Sequence, residues 1–424
     1  MTAPTVAPAA GWAPELRQAG EARFAEVGFP TTRHEEWRFT PVQRIAQGTF
    51  AEPVAAAADP AALAPYLFGQ GSWPQVVFVN GRYDAARSSL AGLPAGVTVS
   101  SLQDAWLAGT DVVRAQLGRH ATPAETPFTA LNAARLHDGA FVHVPAGVAL
   151  PQPVHLVYVT TAEAAGAQVM PRTLVVVGRE GRAALVESYV SLAPGATYFV
   201  NPVTEVVTAE GCWVEHVRLQ RESEAAYHVG FTSVDQARDS HYRSFTLAVG
   251  GAIARHDLVV RLQGTNTETL MYGLYLARGE QLVDNHTTIH HQQPACRSWE
   301  VYKGVLDGRS RGVFNGKIYV TPEAQKTDAK QTNRALLLSP DAKVDTKPQL
   351  EIFADDVKCT HGATVGYLDN VTRFYLQSRG IPAALATRML TYAFCAEVVE
   401  EIAIEPVRAE VDRLVRERIG GLGA

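Results

Sequence analysis

The chain has 424 residues, enough for two or three domains of ordinary size or for one elongated β fold with a large core. Its 38 lysines and arginines stand against 43 aspartates and glutamates, and the net charge of -5 gives no overall basic field for nucleic acid or for an anionic membrane surface. We therefore expect a protein that binds neither nucleic acid nor membranes.

The amino terminus, MTAPTVAPAAGWAPELR, has neither the basic start nor the apolar stretch of a secretory signal. No later stretch approaches the ~20 apolar residues that span a bilayer. The cysteines lie far apart and form no CxxC pair, so neither a disulfide framework nor a self-contained zinc site is predicted; they are Cys212, Cys296, Cys359 and Cys395. We expect a cytoplasmic protein with reduced thiols. Cys395 falls within a helical face and is predicted to be a packing residue, whereas the pattern assigns no role to Cys212 or Cys296.

Residues 1–135 have the signals of a mixed α/β region that is mostly helical. A helix is predicted with Pro14 in its first turn, and the Ala/Pro-rich segment 51–65 has the composition of a linker. The stretch PQVVFVNGRYD then predicts a strand that ends in a turn at Asn80-Gly81.

Two further helices are predicted before residue 135. Ser101 followed by Asp104 resembles a capping box for a helix that runs toward Leu117. Pro127 has the position of the first helical residue of the next one.

From Gly139 onward the pattern changes to short apolar strands separated by proline and glycine, and it persists for over two hundred residues. RTLVVVG at 172–178 is apolar on both faces, whereas ETLMYGLYLA alternates with the period of two that is typical of a half-buried strand. No repeat of fixed period is visible. The pattern alone therefore leaves a sandwich, a jelly roll and an irregular β-helix open.

Helical spacing returns after Gly380. One helix is predicted from Pro382 to Ile402, with Leu385, Met389, Phe394 and Val398 near one face. A second amphipathic helix follows Glu405-Pro406 and ends at the glycines 420 and 421. We expect these two helices to form a small separate module.

The strongest chemical signal is a cysteine and a histidine two residues apart. On an extended strand, Cys359 and His361 project from the same face roughly 7 Å apart. A thiolate and an imidazole are ligands that iron-sulfur chemistry selects, and Lys358 is placed to lower the pKa of the thiol. The residues alone favour a plainer interpretation, in which Cys359 is a small buried hydrophobe and His361 is a hydrogen-bonded residue before a turn.

Three other patterns are weaker. His286 and His290 share one strand face and His291 lies on the other, but no carboxylate segment with metal-ligand spacing accompanies them, so we interpret them as packed along a strand. The regularly spaced lysines between 303 and 358 are typical of solvated strand faces. The adjacent carboxylates at 355 and 356 point to opposite faces of a strand and cannot flank one bond, which argues against a hydrolase.

Several long motifs resemble the SufD component of the SUF iron-sulfur cluster assembly system. They are YKGVLDGRSRGVFNGKIYV (302–320), AQKTDAKQTNRALLLS (324–339), TKPQLEIFADDVKCTHGATVGYLD (346–369), FYLQSRGI (374–381) and, near the amino terminus, FPTTRHEEWRFT (29–40). The resemblance implies a mainly β protein. Its right-handed parallel β-helix core at 136–378 is flanked by the N-terminal mixed or helical domain 1–135 and by a C-terminal helical domain at 379–424.

The related SufB scaffold shares this architecture and is distinguished by motif. Where chains of that type carry a ligand cysteine in TQCDS, this sequence has DTKPQ with Pro348, and KCTHGA at 358–363 has the SufD form. The resemblance therefore implies that His361 contributes to a cluster-building site at the interface with SufB. It makes Cys359 a lesser candidate.

The resemblance further implies a non-enzymatic subunit of a cytoplasmic SufB-SufC-SufD complex. A SufC-type ATPase docks on the C-terminal helices, for which we select Met389, Phe394 and Val411 as partner-binding residues, and ATP is used only by that ATPase. The nascent cluster is transient and shared with SufB, and the isolated chain could form a homodimer. Two alternatives remain: a SufB-like scaffold that acts as a homodimer, and a β-helix polysaccharide lyase or hydrolase.

Overall fold

A computed structural model describes residues 11–420 of the chain. Two large sheets dominate it, and helices lie at both ends of the chain. The strands are β1 Gln75–Val79, β2 Arg82–Tyr83, β3 Thr98–Ser101, β4 Ala140–Val144, β5 Val154–Thr160, β6 Gln168–Val169, β7 Arg172–Val177, β8 Arg182–Ser191, β9 Phe199–Val200, β10 Val203–Thr208, β11 Trp213–Arg221, β12 Tyr227–Gln236, β13 His241–Ala248, β14 Ile253–Leu262, β15 Glu268–Ala277, β16 Leu282–His291, β17 Arg297–Leu306, β18 Arg311–Val320, β19 Asp328–Leu337, β20 Lys343–Ile352 and β21 Lys358–Tyr367. The helices are α1 Pro14–Val27, α2 Gln43–Ala46, α3 Pro60–Leu63, α4 Leu102–Leu107, α5 Asp111–Gln116, α6 Pro127–Ala134, α7 Asn370–Ser378, α8 Ala383–Val399 and α9 Glu405–Gly420.

Successive strands alternate between a 10-stranded sheet and an 11-stranded sheet. The first has the order β2-β1-β5-β8-β11-β13-β15-β17-β19-β21, and the second runs from β20 through β18, β16, β14, β12, β10, β7 and β4 to β3. The short strands β6 and β9 complete the second sheet, since β6 pairs with β9 and β9 pairs with β12. The pairings from β5 to β21 are parallel, so each pair of consecutive strands forms one rung of a solenoid. This confirms the expected mainly β fold with a parallel β-helix core and helices at both ends of the chain.

The rungs repeat in space without a repeat in sequence. The first residues of β11, β13, β15, β17 and β19 pair in one line, although the number of residues between them varies. Two residues before each of these strands the backbone turns with positive φ, and the residues there share no type: Gly211, Asp239, Asn266, Ala295 and Lys326. The backbone N–H of each of the first four corners donates to the carbonyl oxygen of the residue just before the corner of the next rung. The corner is therefore defined by backbone conformation, and no consensus residue marks it.

The same corners explain two of the cysteines. The residue just before each strand is small and buried, and the line consists of Cys212, Ser240, Thr267, Cys296 and Thr327. The thiol of Cys212 donates to the carbonyl oxygen of Gly178 at 2.9 Å, and the thiol of Cys296 donates to that of Gly264 at 3.3 Å. Both cysteines are thus corner residues. Cys395 is fully buried in α8, and burial raises the pKa of its thiol to about 12, in accordance with a packing role.

The C-terminal helices pack on the outer face of the 10-stranded sheet. Val407 and Val411 of α9 are fully buried in one apolar cluster with Val217 and Leu219 of β11 and Phe245 of β13. The two helices therefore cover this sheet, because the outward side chains of these strands are apolar. Their status as a separate module stays a prediction. The second glycine of the predicted C-cap lies outside the described residues.

The N-terminal region is continuous with the β-helix as well. Strand β1 pairs in parallel with β5 and so extends the 10-stranded sheet, while β3 pairs antiparallel with β4 at the edge of the other sheet. The 11-stranded sheet is covered by α6 and the segment around Trp37, whose side chains pack with Phe199 and Val229. The domain boundaries proposed at 135 and 378 stay predictions.

Several local predictions can be compared with the structure. The strand before Asn80, the turn at Asn80-Gly81 and the helix starts at Pro14 and Pro127 are confirmed. The helix expected to run toward Leu117 is two helices, α4 and α5, because Gly109 between them has a positive φ. The segment 51–65 includes the short helix α3, whose Leu63 is buried. Helix α7 begins at Asn370 and was not predicted.

The expected face of the α8 helix is only half buried. Val398 and Ile402 are buried against the sheet, whereas Leu385 and Met389 are 42% and 44% exposed. The buried stripe of α8 continues through Thr391 and Cys395 instead.

We predict that Val411→Ser lowers the free energy of unfolding by about 2–4 kcal/mol, because it leaves a cavity and a hydroxyl group between α9 and the sheet. Met389→Ser, on the exposed side of the same pair of helices, is the control and should change stability by no more than about 0.5 kcal/mol. Urea unfolding followed by circular dichroism measures both. Equal stabilities of the two variants would show that α9 does not depend on the sheet for its packing.

Candidate functional site at the open end of the β-helix

The β-helix ends in two strands that have a neighbour on one side only. Strand β20 is the last strand of the 11-stranded sheet and β21 is the last of the 10-stranded sheet. Almost every residue of β21 is exposed, in contrast to the buried strands that precede it. Pro348, which has no backbone N–H to donate, lies within β20 and is tolerated there because the strand is at an edge.

Cys359 and His361 both lie on β21. In the parallel register Cys359 pairs with Ala329 and His361 pairs with Gln331. Because Ala329 and Gln331 are buried between the two sheets, the two site residues continue the interior face of the solenoid at its last rung. The structure therefore places both side chains on one face of an open edge, as the spacing predicted.

The two side chains differ in their surroundings. Cys359 is half-buried against an apolar cluster that contains Ile318 and Val320, whereas His361 is exposed and its ring makes no hydrogen bond within residues 11–420. Burial raises the pKa of the Cys359 thiol, and Asp328 raises it further. The expectation that Lys358 lowers this pKa is therefore wrong, because Lys358 is exposed and contributes nothing that offsets burial. His361 is the more accessible side chain of the pair.

Large exposed side chains follow the site directly. Tyr367 ends β21 and is 63% exposed, and Phe374 and Tyr375 on α7 are 69% and 54% exposed. Phe353, just after β20, is exposed as well. Exposed apolar groups in such a concentration are typical of a protein–protein contact surface.

The residues selected for partner binding do not share one environment. Met389 is exposed and lines a cavity of about 350 Å³ between α8 and α9. Phe394 is half-buried, and the ammonium group of Lys303 lies 4.7 Å from its ring centre. Val411 is fully buried and lies inside the helix–sheet contact. Only Met389 is available on the surface, and the other two hold the helices in place.

Lys303 departs from the interpretation of its stretch as solvated lysines. It is buried, its ammonium group donates to the backbone oxygen of Phe394 at 2.9 Å, and it pairs with Glu397. Sequence spacing could not reveal this, because the covering helix comes some ninety residues later.

Sequence reasoning missed a buried polar network in the interior. Glu187 accepts hydrogen bonds from Tyr189 and Thr204 at 2.9 Å and lies 3.3 Å from His216. Burial opposes its ionisation, but His216 and Arg218 outweigh burial and hold the pKa of this carboxyl at about 2. The sequence signal for this network was the period-two alternation within each strand, which places these polar side chains on the interior face.

His286 of β16 anchors the N-terminal motif 29–40. His286 lies 3.0 Å from Asp284 and 3.4 Å from Glu36, and the guanidinium group of Arg255 donates to Asp284 at 2.9 Å and is stacked on Trp37. His286 and His290 lie on the outer face and His291 points inward, where burial lowers its pKa to about 3. The interpretation as packed histidines agrees with these contacts.

The described part of the chain contains neither a metal-ligand cluster nor a membrane-spanning helix. Among residues 11–420, no group of three or more His, Cys, Asp or Glu side chains is arranged to hold a metal ion. No helix in that range is both long and apolar enough to cross a bilayer.

Two protein-family models match most of the chain. Residues 158–394 match the family model described as SUF system FeS cluster assembly, SufBD core domain, and residues 9–156 match the SufBD protein N-terminal region. The class defined by this fold and these matches is that of iron-sulfur cluster assembly proteins.

Individual relatives cover nearly the whole chain. An iron-sulfur cluster assembly SufBD family protein of Synechocystis is 32% identical over 94% of this chain and 89% of its own length. The iron-sulfur cluster assembly protein SufD of Escherichia coli is 32% identical over 94% of this chain and 91% of its own length. SufD of Bacillus subtilis is 31% identical over 70% of this chain and 67% of its own length. The chain therefore belongs to the SufBD family, which gives no support to the polysaccharide lyase or hydrolase alternative.

We predict that the stabilising contribution of His286 decreases as the pH rises. Burial and Arg255 lower the pKa of His286, but Asp284 and Glu36 outweigh them and the net pKa is raised. A folded-state pKa above the unfolded value of about 6.5 gives a contribution that is complete below pH ~6.5 and is lost as the pH passes the folded-state pKa. The free-energy difference between wild type and His286→Gln, measured by urea unfolding from pH 6 to pH 9, should therefore shrink.

His290→Gln is the control for this trend. Burial lowers the pKa of His290, so any change in its contribution over the same range has the opposite sign. A His286 contribution that is constant or grows with pH would contradict the anchoring role.

Proposed function

We propose that this chain is a SufD-like subunit of a cytoplasmic SufB-SufC-SufD complex and that it helps to build a nascent iron-sulfur cluster at its interface with SufB. The observation that carries the proposal is the exposed His361 on the unpaired edge strand β21. The family membership supports the general function, and the position of His361 supports the proposed place of the chemistry.

The open edge favours a partner with the same architecture. Strands β20 and β21 present unpaired backbone groups, and such an edge pairs readily with a strand of another chain. A SufB-type chain with an equivalent last rung would add strands to both sheets and bring its own side chains to His361. When SufB is absent, a second copy of this chain is the available partner, which gives a homodimer.

The chemistry assigned to His361 is that of an iron ligand for a cluster that is cargo. A neutral imidazole nitrogen binds iron, and a cluster normally needs four protein ligands, so one chain with one accessible histidine supplies only part of the set. Cys359 is a poorer ligand because its raised pKa keeps it a thiol at neutral pH. The remaining thiolates are expected from SufB.

The ATPase is proposed to dock on the exposed side of the C-terminal helices. Leu385 and Met389 of α8 are exposed beside Tyr392 and Arg416, in a shallow apolar hollow with a positive rim. The sequence contains no phosphate loop of its own, so we assign ATP to the SufC-type partner and give this subunit no enzymatic role.

We predict that His361→Ala lowers the iron and sulfide content of the complex co-expressed with SufB and SufC by about tenfold or more. The yield and melting temperature of the complex should hardly change, because the exposed ring contributes little buried surface. Thr360→Ala, an exposed neighbour on the opposite face of the same strand, is the matched control and should retain normal iron. Cys359→Ala should have a milder effect than His361→Ala.

Normal iron and sulfide in the His361→Ala complex would show that the site assignment is wrong. A variant that fails to assemble, while Thr360→Ala assembles, would make His361 a residue of the interface and not of the cluster.

We further predict that Met389→Asp abolishes co-purification of the SufC-type ATPase, because it places a charge in the apolar part of the docking surface. Point variants are preferable to deletion of 380–424, which would uncover the apolar face of the 10-stranded sheet. Glu400→Gln, exposed near the end of the same helix pair, is the control. Retained ATPase binding by Met389→Asp would place the docking surface elsewhere.

A further inference from the structure

Two polar side chains lie directly beneath His361 in the interior of the 10-stranded sheet. Gln331 pairs with His361, and Glu300 pairs with Gln331 one rung further in. Both are buried, with exposures of 0% for Glu300 and 1% for Gln331. A short polar column therefore connects the interior with the exposed imidazole.

The orientation of the Gln331 amide follows from its partner. Its nitrogen Nε2 donates to Oε2 of Glu300 at 2.8 Å, so the amide nitrogen faces the interior. Its oxygen Oε1 is buried and has no hydrogen-bond partner within the described residues. Gly316 on the facing sheet leaves room for this arrangement, since a Cβ atom there would lie 1.9 Å from Nε2 of Gln331.

The unpaired acceptor and the unpaired ring belong to residues that pair on adjacent strands. Paired positions on adjacent parallel strands lie about 4.8 Å apart, with their side chains on the same face. The His361 ring makes no hydrogen bond within residues 11–420, and it is exposed on the same face one rung beyond Gln331. Buried acceptors normally find a donor, and a ring N–H of His361 is a candidate on the adjacent strand.

We propose that Gln331 is a positioning residue for His361, whose ring N–H donates to Oε1 of Gln331 once a partner covers the open end, and that Glu300 holds the Gln331 amide in the required orientation. The proposal rests on the proposed role of His361 as an iron ligand. A histidine that binds metal usually donates its other ring N–H to a carbonyl or carboxylate oxygen, which fixes its tautomer and raises its basicity. Gln331 supplies that oxygen, and the second ring nitrogen then presents its lone pair to iron.

Four variants of the co-expressed complex separate this role from general packing. Gln331→Met removes the acceptor at similar volume, and Glu300→Met removes the group that orients the amide. Glu300→Gln keeps an oxygen that can accept from Gln331. Asn333→Leu is the matched control, because Asn333 is equally buried, also has an unpaired oxygen, and pairs with Ala363 instead of His361.

The measurements are iron and sulfide per complex, with the melting temperature and yield of each complex recorded beside them. We expect Gln331→Met and Glu300→Met to lose about tenfold in iron and sulfide, as outer partners of metal-binding histidines do. We expect Glu300→Gln to restore most of the wild-type content and Asn333→Leu to retain it. The His361→Ala complex is measured in parallel.

Other results overturn the proposal. If Gln331→Met retains iron while His361→Ala loses it, Gln331 does not position the ring and the proposed function stands. If Glu300→Gln loses as much as Glu300→Met, the negative charge and not the amide orientation matters. If Asn333→Leu loses as much as Gln331→Met, the effect belongs to interior packing. If His361→Ala retains iron, the proposed function itself is wrong. Should Gln331→Met fail to assemble, the comparison of the two Glu300 variants decides.

Discussion

Every rung of this protein is held by backbone hydrogen bonds to the rung before it, and the architecture depends on that one constraint. The long strands from β10 to β19 pair with a neighbour on both sides, whereas β20 and β21 pair on one side only. A β-helix cannot avoid an end of this kind, since each rung pairs only with the rungs before and after it and the last rung has no successor. The position of the candidate site at the last rung is therefore a consequence of the fold. The exposed side chain of His361 and the unpaired edge of β20 and β21 occur together because both belong to the last rung.

The two outer faces of the solenoid explain why the chain needs more than the solenoid. Strands buried on both faces are apolar on both faces, and the 10-stranded sheet would expose Val217, Leu219 and Phe245 without α8 and α9. On the other sheet the N-terminal motif is fixed by the ion pairs around Arg255 and Asp284. Lys347 of β20 pairs with Glu35 of that motif, so the N-terminal segment reaches the last rung. The motifs at the two ends of the sequence are thus structural covers for the core between them.

The sequence predicted element types well and long-range packing poorly, for identifiable reasons. The helix starts at Pro14 and Pro127 and the turn at Asn80-Gly81 depend on local chemistry and were found. The sequence pattern alone did not distinguish the β-helix from a sandwich or a jelly roll. The reason is that its corners at Asp239, Ala295 and Lys326 share a backbone conformation but no residue type. Cys359 and His361 were placed on one strand face by spacing, but the pKa of the Cys359 thiol is raised by burial in a cluster that includes Ile318 and Val320, some forty residues earlier in the chain. Gln331 became visible only through the register that stacks it beneath His361.

The unequal ends of the solenoid limit how many chains can associate. At its beginning the sheets are blunted by the short antiparallel strands β2 and β3, while the last rung is open. Head-to-tail stacking would join an open end to a blunted one and could continue without limit into a fibre. Within the described residues, the antiparallel strands interrupt the parallel register at the first end and so disfavour that mode. Two chains joined through their open ends would leave no equivalent parallel edge, and this asymmetry would protect a protein built of stacked strands from polymerisation.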